Sequence, residues 1–258
     1  MKEKIYTIPV NDAFSEDCEC PMCLLEKHQE DDAISFVLSP ALMEPDKRID
    51  TNEKGFCRRH FKMLYDRKEN VLGVSLIIDT HIQIQMEKLE KLIEKSSKGI
   101  EDDSKMNAVR NLAGSVGKSS TATRKFIAGA TEFLDELEEK CEICDRIERI
   151  MERYADTAIW MYFNDSSFRE NIKTGKGFCL PHYKLLLNTA MDSLGPKQCA
   201  VFTKDINEIM ANNMARILDE VQWFSKKFDY RYKDEPWKNS KDAVPRAIDK
   251  LVSYNNFK

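Results

Sequence analysis

A four-residue ligand pattern is written twice in this chain. Cys20-x2-Cys23 is followed, after thirty-three intervening residues, by Cys57-x2-His60, and Cys141-x2-Cys144, after thirty-four, by Cys179-x2-His182. Three thiolates and an imidazole, in two close pairs, form the donor set of a tetrahedral structural zinc site. Residues three apart lie on one side of a helical turn, so both members of a pair can reach one ion. The order of the pairs leads to the expectation that each copy closes on itself. Cys20, Cys23, Cys57 and His60 would hold one Zn²⁺, and Cys141, Cys144, Cys179 and His182 a second.

The duplication reaches beyond the ligands. Lys54-Gly-Phe-Cys-Arg-Arg-His-Phe-Lys-Met-Leu64 lies over Lys176-Gly-Phe-Cys-Leu-Pro-His-Tyr-Lys-Leu-Leu186 at an offset of 122 residues, and Leu72-Gly73 falls on Leu194-Gly195 at the same offset. Each copy reads as helices. The first runs from the Cys-x2-Cys pair to Ser39-Pro40 in copy one, with its counterpart after Cys144. A short polar stretch leads to Gly55 or Gly177, a second helix runs from Cys-x2-His to Leu-Gly, and a long third helix follows. The stripes Ile78, Ile82, Met86, Leu89, Ile93 and Ile206, Met210, Met214, Ile217, Val221, Phe224, Phe228 read as core-facing. The expected fold is therefore all-α, with two pseudo-repeated helical units, each stapled by a Cys3His site. The first repeat takes residues 1–98, a Ser/Gly/charge-rich linker 99–121 and the second repeat 122–229. A C-terminal tail, 230–258, carries Trp237 in an exposed setting and a short helix capped from Ser240-Lys-Asp242 and running through Leu251. Small units with limited cores gain folding free energy from a structural metal, on the order of 10–16 kcal/mol of apparent binding.

Composition excludes several classes. Of the 258 residues, 42% are hydrophobic and 33% charged, with only nine Gly and eight Pro, which fits a globular helical chain better than a turn-rich β fold. The formal charge is −4; each Zn²⁺ on three thiolates adds a further negative charge, which makes nucleic-acid binding an unpromising role. The richest apolar run, Val71 to Ile78, is too short to span a membrane. The opening MKEKIYTIPVNDAF has no stretch of signal-peptide length, so a cytoplasmic location is expected, where paired cysteines point to metal or redox chemistry rather than disulfides. Gly117-Lys118-Ser119 imitates the end of a phosphate loop, but the motif requires a Gly where Leu112 stands.

Other candidates carry less. Cys18 reads as a spare thiol, Cys199 as a core thiol, His28 and His81 as surface or satisfied core, and Arg58-Arg59 as a solvated pair. Glu26 and Glu148 read as helix surface, with contact to a ligand as the lesser option. An iron–sulfur cluster on the same Cys3His sets is the competing cofactor.

These residues resemble an uncharacterised bacterial family found mostly in clostridia and related Firmicutes, which carries a domain-of-unknown-function label. The resemblance rests on Lys4-Ile-Tyr-Thr-Ile-Pro-Val10, Cys20-Pro-Met-Cys23, Gly55-Phe-Cys-Arg-Arg-His60, Cys141-Glu-Ile-Cys144, Gly177-Phe-Cys-Leu-Pro-His182 and Asp234-Glu-Pro-Trp237 with Ser240-Lys-Asp242. It implies a fold more than a task.

Four protein ligands leave a metal no open position for water, and no Ser/His/Asp set, phosphate loop or spaced acid pair is visible. The expectation is a zinc-binding protein-interaction or assembly module without catalytic residues, acting on an unknown protein partner or as a homo-oligomer. The alternative is a thiol-based redox sensor or oxidoreductase using the Cys-x2-Cys pairs.

Overall fold

The computed structural model describes residues 4–40, 44–112 and 121–254, and those residues form helices and no strand. A short 3-10 turn, Lys4–Tyr6, leads into α1 (Thr7–Ser15). Then come α2 (Pro21–Leu38), α3 (Pro45–Lys54), α4 (Arg58–Arg67), α5 (Val71–Leu112) and α6 (Thr121–Glu139). They are followed by α7 (Glu142–Asn164), α8 (Ser166–Thr174), α9 (Leu180–Ser193), α10 (Pro196–Lys226) and α11 (Ala243–Val252). No described helix is long and apolar enough to cross a membrane.

The chain divides into two compact units that do not follow the sequence order of the repeats. Unit 1 is Met1–Asp31 together with Ile147–Lys258, and unit 2 is Asp32–Arg146. The expected division at residues 99–121 is replaced by one that passes through α2 and α7. The reason lies in helix lengths. α2 has 18 residues, about 27 Å at 1.5 Å per residue, whereas the 10 residues of α3 cover only about 15 Å and do not retrace it. Likewise the 23 residues of α7 span about 35 Å against about 14 Å for the 9 of α8. The chain that leaves Cys20 and Cys23 in unit 1 is in unit 2 when it reaches Cys57.

Unit 1 is closed by aromatic packing. Phe14 meets Phe168 at 4.8 Å between ring centres and Tyr162 meets Phe202 edge-on at 5.1 Å. Val10, Met22, Phe178 and Ile206 are buried with them. Unit 2 buries Ile34, Val37, Phe56, Leu64, Val74, Ile77 and Ile143, and α3 packs along α5. Within unit 2, α5 and α6 form a long antiparallel pair. The Asp103 carboxylate accepts hydrogen bonds from Thr123 N at 2.9 Å and Thr123 Oγ1 at 2.6 Å near its tip.

Several sequence expectations change here. The polar stretches before Gly55 and Gly177 contain the helices α3 and α8. The linker is helical up to Leu112 as part of α5; Gly117-Lys118-Ser119 lies outside the described residues. Leu194-Gly195 does end α9, with Gly195 capping α10. Leu72-Gly73 instead lies inside α5, and α4 ends at Lys68 in the left-handed region, φ 54°. In the second long stripe Ile206, Met210 and Ile217 are buried as expected, and Phe228 falls beyond α10 and is exposed. In the first stripe Ile82, Met86 and Ile93 are exposed, while Val74 and Ile77 face the core. Cys199 is half-buried rather than in the core. Trp237 is half-buried against Phe224, 5.8 Å between ring centres, with the Lys227 ammonium over its ring. Ser240 holds the turn ahead of α11 by donating to Trp237 O, rather than capping the helix.

Candidate metal centres

All four ligand pairs sit at the same place on a helix. Cys20, Cys57, Cys141 and Cys179 each immediately precede a helix (α2, α4, α7 and α9), and Cys23, His60, Cys144 and His182 occupy its third residue. The x2 spacing therefore wraps the first turn, where free N–H groups and the helix dipole favour negative sulfur. Pro21 and Pro181 fit because a proline in the first turn sacrifices no helical hydrogen bond. Gly55 and Gly177 lie two residues ahead of their pairs at φ 62° and 79°, a region that L side chains rarely adopt. At Gly55 a Cβ would also stand 2.6 Å from the His81 ring, which is itself fixed with Nδ1 2.8 Å from Asn52 O.

The structure brings the eight ligands into two tetrads, and the pairing is crossed. Cys20 and Cys23 meet Cys179 and His182 in unit 1; Cys57 and His60 meet Cys141 and Cys144 in unit 2. The expectation that each copy closes on its own ligands is thereby corrected. A Cys-x2-Cys pair from one copy is completed by the Cys-x2-His pair of the other, because α2 and α7 carry the chain away from the pairs that open them.

In each tetrad the donor atoms lie within 4.8 Å of one another. In unit 1, His182 Nδ1 is 3.6 Å from Cys20 Sγ, 3.4 Å from Cys23 Sγ and 3.1 Å from Cys179 Sγ, and Cys23 and Cys179 are 3.6 Å apart. In unit 2, His60 Nδ1 is 3.3 Å from Cys57, 3.2 Å from Cys141 and 3.4 Å from Cys144, with Cys57 and Cys144 3.9 Å apart. A zinc ion about 2.3 Å from sulfur and about 2.0–2.1 Å from nitrogen at tetrahedral angles sets S···S near roughly 3.8 Å and S···N near roughly 3.5 Å. The donors fit that ion. They do not fit disulfides, whose sulfurs lie about 2.05 Å apart, and every described cysteine is a free thiol.

The thiols also polarise one another. Cys141 is pulled down to about 3, first by the hydrogen bond from the Cys144 thiol, with His60 and backbone N–H groups adding to it against burial. Cys179 is pulled down to about 4 by the Cys20 and Cys23 thiols. Cys144 moves up because it donates to Cys141, and Cys20 moves up through burial. Each tetrad thus concentrates negative charge where a cation would sit.

The surroundings differ. In unit 1 all four ligands are buried. Glu26 approaches His182 Nε2 at 3.6 Å, and Ser253 Oγ donates to Glu26 at 2.9 Å while lying 3.5 Å from Cys23 Sγ. The Lys250 ammonium, 1% exposed, donates to Glu19 O and Lys176 O, each at 2.5 Å, and so grips the chain beside both ligand pairs. Glu19 in turn accepts from Arg216 and Arg246 at 2.6 and 3.1 Å. Sequence reasoning missed this Lys250 clamp, because its partners are backbone carbonyls distant in the chain. In unit 2, Lys54 bridges to Asp145 at 2.7 Å and Glu142 at 3.3 Å, and Glu142 N donates to Gly55 O, tying the two ligand loops together. There Cys57 is half-buried and Cys144 exposed.

Of the lesser candidates, Cys18 lies beside the unit 1 tetrad in a pocket of about 160 Å³ shared with Lys250 and Tyr254, outside the ligand set. Its thiol is pushed up to about 11 by burial. His28, Arg58 and Arg59 are exposed. Glu148 lines a surface groove with Pro181 and Lys184 in unit 1.

The sequence profile of DUF6062, described as a family of unknown function, matches residues 1–258. The chain belongs to this family. No curated protein matches the DUF6062 chain, and no solved structure matches it.

Proposed function

We propose that this DUF6062 protein is a zinc protein that holds two Zn²⁺ ions, one in each Cys3His tetrad, and that the metals are structural. The observation that carries the reading is the distance set around His60 and His182, where one imidazole nitrogen and three sulfurs surround a common centre twice over. Four protein donors complete the coordination of a tetrahedral ion and leave no open position for water. Zinc on thiolates gains further from the positive helix ends that present them. With the metals as staples, the function moves to the helical surface, and the protein serves as an interaction or assembly module. The thiol-rich donor sets suit a reducing compartment, so a cytoplasmic setting belongs to the same reading.

Elemental analysis with an absorbance spectrum, on protein purified without added metal, tests this. Two zinc atoms per chain and a colourless solution are expected. A brown solution with iron would overturn the zinc assignment in favour of clusters, and protein that is fully folded after metal is stripped would overturn the structural role.

One observation favours a second reading. The exposure of Cys144 and partial exposure of Cys57 leave the unit 2 tetrad open to oxidants, as a thiol-based redox role requires. Mild peroxide that expels one zinc reversibly, with a disulfide formed among Cys57, Cys141 and Cys144, would support it; inert thiols would remove it.

A further inference from the structure

The α5–α6 arm of unit 2 is an incomplete helical bundle. Leu89, Leu92, Ser96, Gly99 and Asp103 of α5 are half-buried at alternating intervals of three and four, and so are Thr123, Phe126, Ala130, Phe133 and Leu137 of α6. That spacing is a coiled-coil seam. Two contacts fix its antiparallel register. Asp103 accepts from Thr123, and a Cβ on Gly99 would stand 2.8 Å from that of Ala122. Among the described side chains, none of α6 is buried, and none from 86 to 104 of α5.

The residues just after the seam are also apolar. Met86 and Ile93 on α5 are 48% and 46% exposed, and Ile127 and Leu134 on α6 are 55% and 48% exposed. In an antiparallel pair the positions following the inner seam residues of both helices flank the same side of the pair. The positions preceding the seam flank the other side. Lys88 and Glu136 sit there, and Lys88 adds to the stronger pull of Lys140 in holding the Glu136 carboxyl below its usual value. One broad face of the arm is thus polar and the opposite face apolar. A helix with apolar seam and flank positions is the kind found in bundles of more than two helices.

Resting on the assembly reading above, we infer that this face docks against the same face of a second copy, completing an antiparallel four-helix bundle. The pattern is complementary to itself. On α6 the order is Arg124, Ile127, Thr131, Leu134, Glu138, basic at one end and acidic at the other. An antiparallel copy turned about Thr131 sets Arg124 against Glu138 and brings Ile127 within one residue's rise of Leu134, twice over. On α5, Met86, Ile93 and Ile100 are symmetric about Ile93, and the arm's register places Ile93 within about one residue's rise of the level of Thr131. Both helices therefore share one two-fold centre, as an isologous contact between identical subunits demands. The face is about 27 Å long from residue 82 to 100 and two helices, about 20 Å, wide. That is a footprint of roughly 540 Å² per copy, on the order of 1,100 Å² for the two together, just above the minimum of about 1,000 Å² that a specific interface needs.

Light scattering on the full-length, zinc-loaded protein at micromolar concentration tests the inference, with zinc content and helical circular dichroism read on the same samples. The wild-type mass should be twice 30.0 kDa. Ile93→Glu with Leu134→Glu should raise the dissociation constant about 100-fold or more with zinc and helicity unchanged. Arg124→Glu should weaken the dimer about tenfold, and Arg124→Glu combined with Glu138→Arg should restore it, since the swap preserves the pairing across the two-fold. A wild-type monomer, a dimer that survives the Ile93/Leu134 double variant, or a charge swap that fails to restore association would each overturn it. Zinc loss in the wild type would overturn the metal reading instead and leaves the mass measurement to decide this one.

Discussion

At the scale of single residues the decisive fact is which cysteine shares a centre with which histidine. Double variants read it directly. Cys20→Ser with Cys179→Ser removes two donors from one tetrad, so one zinc should remain; Cys20→Ser with Cys57→Ser strikes both tetrads and should leave none. Closure within each copy predicts the reverse, and metal content after purification distinguishes the two. All eight donors were legible in the sequence because three-residue spacing, duplicated, has few other uses. Their partnership was not, since ligand spacing records local geometry and says nothing of where a long helix delivers the chain. The turn glycines were legible too. Gly55→Ala forces a side chain into φ 62° and against the His81 ring, and should cost about 1–3 kcal/mol. Gly177→Ala meets only ordinary contacts at φ 79° and should cost less, near about 1 kcal/mol. Denaturant midpoints of the zinc-loaded variants check the order.

At the scale of elements, the sequence found α2, α4, α5, α7, α9 and α10 because each carries a sustained apolar stripe or opens on a ligand pair. It missed α3 and α8, which are short and largely polar. α8 is held by Asp165, whose carboxylate caps Ser167 N and Phe168 N, and by burial of Phe168 and Ile172. α8 is further tied to α10 by Asp205, which accepts from Tyr162 at 2.5 Å and Arg169 at 3.0 Å, with Lys173 at 3.3 Å. Burial opposes ionisation of Asp205, and those donors outweigh it, so its carboxyl falls from 3.8 to about 2. A depressed folded-state value means stability that is complete above the ordinary carboxylate range and lost as pH falls from about 4 to about 2. Asp205→Asn should flatten the stability curve across that window, as followed by urea midpoints. The α11 helix depends on a different device. Lys250→Met leaves the Glu19 and Lys176 carbonyls without their buried donor, and should cost about 2–4 kcal/mol. Hydrogen exchange should show α11 opening first.

At the scale of the whole molecule, an all-α chain was legible, but the division into units was not. Repeats in sequence invite a cut between them, and folding in space obeys packing instead. Unit 1 needs both the first 31 residues and everything from Ile147 onward. The consequence is a fragment experiment that no repeat-by-repeat architecture would pass. A chain cut between residues 112 and 121 yields an N-terminal piece bearing Cys20, Cys23, Cys57 and His60, two donors from each tetrad and a complete set of neither. The C-terminal piece bears the complementary two of each. Two donors per ion forfeit most of the roughly 10–16 kcal/mol that a closed structural site supplies to folding. Each piece alone should therefore be poorly folded and hold no zinc against a mild chelator. Co-expressed, they should associate through both tetrads, retain two zinc per pair and recover the helical signal of the intact chain. An N-terminal piece that keeps one tightly bound zinc and a cooperative unfolding transition on its own would mean that the ligands close within each copy after all.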